Sequence, residues 1–178
     1  MSLLLLIDGY NVSAPIRPGR DADARWLERH RAGLLRDLTN HLEEAIRHRT
    51  CVVFDAANPP KDRPPTYVHQ GIEVRFAIGY PTADDLLEEM IQAHHTPRQL
   101  MVVSSDHRVQ VAARRRGAAQ SDSEPWMDDL TDGVVNLATG KTARLAPANG
   151  EGEGSSKKPD ISDAGEVQNW LREFGFDD

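Results

Sequence analysis

The sequence predicts a three-layer α/β/α domain on a mainly parallel sheet of about five strands, followed by a flexible tail ending in a short helix. Three observations carry this reading. Apolar runs of four to five residues recur along the chain, amphipathic helical patterns separate them, and three of the runs close on an acid. Strands covered on both faces read as unbroken apolar runs, and joining them in parallel takes a crossover, usually helical.

Leu3–Ile7 reads as the first buried strand, closed by Asp8. A polar loop spans Asn11–Arg20. A long helical pattern then runs from Asp23 to Arg47 with Trp26, Leu27, Leu34, Leu35, Leu38, Leu42 and Ile46 on one side, and Asp21 or Asp23 placed to cap it. Thr50–Phe54 is the second strand, closed by Asp55, and the proline pairs at 59–60 and 64–65 mark an irregular surface loop. Ile72–Ile78 alternates as a third strand. Thr82 caps a helix over Ala83–His95 whose apolar face is Leu86, Leu87, Met90 and Ile91. Leu100–Val103 is the fourth strand and runs into Ser104-Ser105-Asp106. A helix over Arg108–Arg116 stops at Gly117, Ala118–Ser121 is a short fifth strand, and Trp126–Leu130 is a short helix.

The 178 residues suit one domain over residues 1–146. Residues 147–160 have the small, polar composition of a flexible linker. Residues 161–178 read as an amphipathic helix capped by Ser162, carrying Val167, Trp170, Leu171 and Phe174, and suited either to docking on a partner protein or to packing on the same domain. The single cysteine, Cys51, lies in an apolar run and is read as a core residue. It excludes an internal disulfide and a cysteine zinc site, in keeping with a cytoplasmic location. Leu3–Ile7 is shorter than the roughly 7–15 apolar residues of a signal peptide and the roughly 20 of a membrane span, so no membrane association is expected. The net charge of −7 belongs to the tail. Residues 1–120 hold 16 Lys+Arg against 15 Asp+Glu, and residues 121–178 hold 5 against 13. The body is near neutral and rich in arginine.

Ligands of open parallel sheets bind beyond the carboxyl ends of the strands. Asp8, Asp55 and Asp106 therefore face one crevice, and Asp84-Asp85 begin a helix whose dipole favours carboxylates. Crowded carboxylates repel, and a hard divalent cation relieves that repulsion. Oxygen donors without a His or Cys cluster select Mg²⁺ or Mn²⁺ over zinc, and such an ion activates water and stabilises charge on a phosphodiester. Each acid is also a plausible helix cap or turn residue; their coincidence at one edge argues for a site. Asn11 is placed to bond Asp8, a ligand or its own loop, and Ser104 and Ser105 to cap the next helix or touch phosphate. No nucleophile elbow, dinucleotide fingerprint or phosphate loop occurs.

Leu6-Ile7-Asp8-Gly9-Tyr10-Asn11, Val52-Val53-Phe54-Asp55, Thr82-Ala83-Asp84 and Val102-Val103-Ser104-Ser105-Asp106, in this order, resemble the NYN domain, and most nearly its YacP-like branch among relatives of PIN-domain nucleases. The resemblance covers about residues 1–135. It implies a PIN-like fold, endoribonuclease activity with Mg²⁺ or Mn²⁺, RNA (single-stranded or mRNA) as substrate and, for some relatives, action at the ribosome. Carried over by position, Asp8, Asp84 and Asp106 match the metal-binding, catalytic acids, with Asp55 the acid after the second strand. Asn11 matches the polar residue of the first motif and Glu88 a glutamate one turn beyond Asp84. Asp85, beside Asp84, leaves open which of the two points inward.

Arg17, Arg20, Arg25 and Arg29 around the first loop and helix, and Arg108 with Arg114, Arg115 and Arg116 on a later helix, offer forked donors for RNA phosphates. For the triple arginine the plain alternative is a solvated helix end. Three other classes compete: an RNA-binding or ribosome-associated module without catalysis, a phosphoacceptor receiver, and a haloacid-type phosphatase. A receiver wants a lysine after a late strand, and none lies between Lys61 and Lys141. The phosphatase wants Asp-x-Asp, and Tyr10 stands in the second place.

Overall fold

The computed structural model describes residues 2–13, 24–56, 64–138 and 143–144. These belong to a unit spanning Met1–Ala146; the expected linker and terminal helix lie outside the described residues. The strands are β1 (Leu5–Asp8), β2 (Thr50–Phe54), β3 (Thr66–His69), β4 (Ile72–Phe76), β5 (Met101–Val103) and β6 (Ala119–Ser121). They form one sheet in the order β3-β4-β2-β1-β5-β6, parallel throughout except for β3. The helices are α1 (Gly9–Ser13), α2 (Ala24–His41), α3 (Glu44–Arg47), α4 (Ala83–Ala93), α5 (His107–Arg116) and α6 (Ser123–Thr131). A two-residue pair, β7 (Val134–Val135) with β8 (Ala143–Arg144), stands apart.

The alternation of side chains along each strand sorts the core into two layers. Leu5, Ile7, Val52, Phe54 and Val74 pack with Leu27, Leu34, Leu35 and Leu38 of α2 and with Trp126 and Leu130 of α6. Leu6, Cys51, Val53 and Val102 face the other way, against Leu86, Leu87 and Ile91 of α4 and Val109, Ala112 and Ala113 of α5. Burial pushes the Cys51 thiol up to about 12, which suits a core residue and not a nucleophile.

Four sequence expectations change. The long helix is two: Glu43 takes φ −59, ψ 150 and breaks it after α2, while Leu42 and Ile46 remain buried on either side of the break. The segment from Asn11 was read as loop, yet Gly9–Ser13 is already helical. The sheet has six strands because β3 pairs antiparallel with β4 through the two-residue turn Gln70-Gly71, both at positive φ (50 and 92), as a type I′ hairpin requires. The β7–β8 pair was not anticipated. Gly117, at φ 82, ends α5 as expected, and Ala118 N–H reaches back to the Ala113 carbonyl. Among the described residues no helix is long and apolar enough to cross a membrane.

Candidate active site

β1 lies between β2 and β5, so the strand order reverses at β1, and the crevice at its carboxyl end is where open α/β sheets bind ligands. Asp8 is the last residue of β1 and only 6 % exposed. The chain turns straight from strand into α1 through Gly9. A Cβ there would come within 2.3 Å of the Phe54 ring, so only glycine fits between strand end and core. The turn brings the Asn11 N–H back to Asp8 Oδ1 at 3.3 Å. Across the switch point the Ser104 hydroxyl, after β5, donates to Asp8 Oδ2 at 2.9 Å. Burial nevertheless pushes the Asp8 carboxyl up to about 6; these two hydrogen bonds oppose the rise, and the negative charges of Asp84 and Asp55 add to it.

A polar network floors the crevice. Ser104 Oγ also accepts from Asp106 N–H at 3.1 Å, so one hydroxyl ties the ends of β1 and β5 together. Asn11 Oδ1 accepts from Ser105 N–H and from the Ser123 hydroxyl, both at 3.0 Å, while Ser105 Oγ accepts from Ser123 N–H at 2.9 Å. Asn11 thus ties α1 to the loop after β5 and to the start of α6, and it reaches Asp8 with its backbone rather than its amide side chain. Ser123, which is buried, and Gln110, whose Nε2 donates to the Ser104 carbonyl at 2.9 Å, were missed in the sequence. Ser123 follows the fifth strand as Ser104 follows the fourth, and that repeat was the available signal.

The other acids divide. Asp55 Oδ1 accepts from Ala83 N–H at 2.7 Å, anchoring the first turn of α4 over the crevice. Asp84, the next residue, is half-buried, and its charge reaches Asp8. Asp85 turns away from that task. Its carboxylate accepts from both the N–H and the hydroxyl of Thr82, closing a capping box. It also accepts from Arg108 Nη2 at 2.9 Å, and Arg108 Nε donates to Glu88 at 2.7 Å. The Arg108 hydrogen bond, with help from Thr82, holds the Asp85 carboxyl below the usual range. Asp106 caps α5 by accepting from Arg108 N–H at 2.8 Å.

Among the described residues no three Asp, Glu, His or Cys side chains are gathered as a ready metal cage. The structure thus sets Asp8 within electrostatic reach of Asp84 and Asp55, and leaves Asp106 as a cap at the crevice mouth. Of the arginines expected on an RNA path, Arg17 and Arg20 lie outside the described residues. The Arg108 guanidinium spans two carboxylates. Arg114, Arg115 and Arg116 are exposed in the last turn of α5, roughly 10–15 Å along the helix from its crevice end. Arg116 there donates to the Gln92 and His94 carbonyls at the end of α4. Arg25 and Arg29 are exposed on α2.

The model of the YacP-like NYN domain matches residues 5–149. The chain belongs to this family. Two crystal structures of Rae1 (YacP) from Bacillus subtilis, one of them a point mutant, resemble it. The mutant is 26 % identical with a TM-score of 0.52, covering 75 % of this chain and 77 % of that one. The other is 25 % identical with a TM-score of 0.55, covering 75 % of each. No curated protein matches. A YacP-like NYN domain is a nuclease-like, RNA-related module, and its mixed α/β fold with a mainly parallel sheet is the fold described above.

Proposed function

We propose that this NYN domain is a metal-dependent endoribonuclease, with Asp8 and Asp84 as its central acids and Asp106 at the mouth of the site. The observation that carries the reading is Asp8: a nearly buried carboxylate at the strand-order switch, raised to about 6 by its burial and by the charges of Asp84 and Asp55. Such a group gains most from a cation brought from outside.

The residues present fit Mg²⁺ or Mn²⁺. The donors are carboxylate oxygens, and a magnesium ion is commonly held by one or two carboxylates together with water and substrate phosphate. Asp8 and Asp84 would hold it, with Asp55 and Asp106 within the same edge. Bound there, the metal supplies a water of lowered pKa and charge stabilisation on the phosphodiester. The chain's own part is positional. Ser104 and the Asn11 N–H fix both Asp8 oxygens, and Asp55 fixes the helix turn that carries Asp84. The Asn11–Ser105–Ser123 network keeps the floor rigid.

The deciding experiment is cleavage of labelled single-stranded RNA, free and as mRNA on ribosomes, by the parent chain and Asp8→Asn in Mg²⁺, Mn²⁺ or EDTA. Cutting that needs metal and disappears in Asp8→Asn is expected. RNA binding without cutting on either substrate would leave a binding module in place of an enzyme.

A further inference from the structure

Beside the crevice runs a groove of about 610 Å³ between α1, α2 and α6, within the roughly 300–1,000 Å³ range of ligand pockets. Val12 and Met127 form two of its walls. Val12 follows Asn11, and Met127 lies one turn beyond Ser123, so the groove continues from the network that floors the site. Its third wall is a stripe of α2: Trp26, Arg29, His30 and Gly33. The Trp26 and His30 rings lie against each other, tilted, with centroids 3.8 Å apart and planes 35° apart. Arg29 beside them is exposed. Asp37 closes the far end, with Arg36 as its neighbour at 3.6 Å.

Gly33 is the odd residue of this stripe. It stands in the interior of an 18-residue helix, where glycine is the poorest choice after proline. It has no positive φ, and a Cβ there would meet nothing among the described residues within 4 Å. Neither backbone conformation nor packing asks for glycine, and what its missing side chain does is open the groove floor. A local rule broken without a structural return is characteristic of a functional surface.

We propose that this groove binds single-stranded RNA next to the scissile position, one base stacking on the Trp26–His30 pair over the floor at Gly33 and Arg29 taking a phosphate. Stacking on aromatic rings beside a basic group is how sequence-tolerant single-strand binding works. The proposal rests on the ribonuclease reading, because RNA is the occupant it names.

The test uses the full chain, a fluorescein-labelled 12-mer RNA and the same oligomer with abasic riboses, in EDTA, by anisotropy at two salt concentrations. Gly33→Met puts a side chain into the groove from a position where the Cβ meets no described neighbour, and it improves helix propensity. It is expected to weaken binding roughly 5- to 150-fold, the worth of one stacked base, while its melting temperature holds or rises. Trp26→Ala should lose the same factor on the intact oligomer and little on the abasic one, and Trp26→Phe should recover most of it. Arg29→Ala should lower affinity for both oligomers and reduce the salt slope by about one. Parent-like binding by Gly33→Met and Trp26→Ala, in a chain that binds RNA, overturns the groove and leaves the ribonuclease reading standing. Failure of the parent chain to bind at low salt overturns the groove and leaves the ribonuclease reading to the cleavage assay.

Discussion

Two groups of carboxylates share one edge of this sheet and have opposite electrostatics. At the switch point Asp8 is buried and raised to about 6, opposed by hydrogen bonds from one hydroxyl and one backbone N–H and crowded by Asp84 and Asp55. At the rim, Asp85 and Glu88 share the Arg108 guanidinium, and Asp85 is pulled below its usual range. A strand-end or helix-start acid alone says little. What separates Asp8 from the rim acids is countercharge: Arg108 supplies it to Asp85 and Glu88, whereas the groups that act on the Asp8 carboxyl are a hydroxyl, a backbone N–H and two further acids.

The largest expected effect sets the two groups against each other in activity. Asp8→Asn should reduce RNA cleavage on the order of 10³-fold or more, whereas Asp85→Asn should stay within about ten-fold of the parent. Equal losses in the two variants would erase the distinction.

The next effect is on stability and has a definite sign. The folded Asp8 carboxyl titrates at about 6 against an ordinary 3.8, so the fold prefers its protonated form. That stabilisation is complete below about pH 4 and is lost as pH rises through 6. At pH 7.5 in EDTA, ionised Asp8 therefore costs up to about 3 kcal/mol. Asp8→Asn, which cannot ionise, should melt several degrees above the parent at pH 7.5 and together with it at pH 4. Added Mg²⁺ should raise only the parent. A parent and variant that melt together at both pH values would place Asp8 in a compensated environment like that of Asp85. Gly9→Ala probes the same corner from the packing side. Its Cβ would stand 2.3 Å from the buried Phe54 ring, and forcing that ring aside should cost about 1–3 kcal/mol, seen as a lowered melting temperature.

Much of the fold was legible because buried parallel strands announce themselves as apolar runs, and each run from Leu5 to Val103 found its place. β3 was not legible. It is an edge strand exposed along one face, so Thr66, Tyr67, Val68 and His69 carry no apolar run, and the prolines before it drew the reading toward loop. In the site, Asp8 was legible as an acid closing a strand. Which of Asp84 and Asp85 faces inward was not, since a capping box and a ligand read alike in sequence until Arg108 is seen on Asp85. Ser123 and Gln110 act through contacts made in space, Ser123 with Asn11 from 112 positions away; the serine after a strand was the one local hint of Ser123, and it named no partner.

The smallest effect tests whether the rim serves the crevice. Arg108 leaves the first turn of α5 and reaches residues 85 and 88 of α4, so it fixes the helix that carries Asp84 against the one capped by Asp106. Its side chain is 54 % exposed, and exposed ion pairs contribute little to stability. Arg108→Ala should accordingly lower the melting temperature by less than Gly9→Ala does. Catalysis is more sensitive to position than stability is, because a displacement of 1 Å at a reacting centre can cost on the order of 10²-fold. Cleavage by Arg108→Ala should therefore fall several-fold in kcat at unchanged KM. Arg108→Lys, which cannot span both carboxylates with one planar fork, should recover only part of it. A rise in KM with kcat intact would instead make Arg108 a contact to RNA, and the rim would then belong to the substrate path, not to the scaffold.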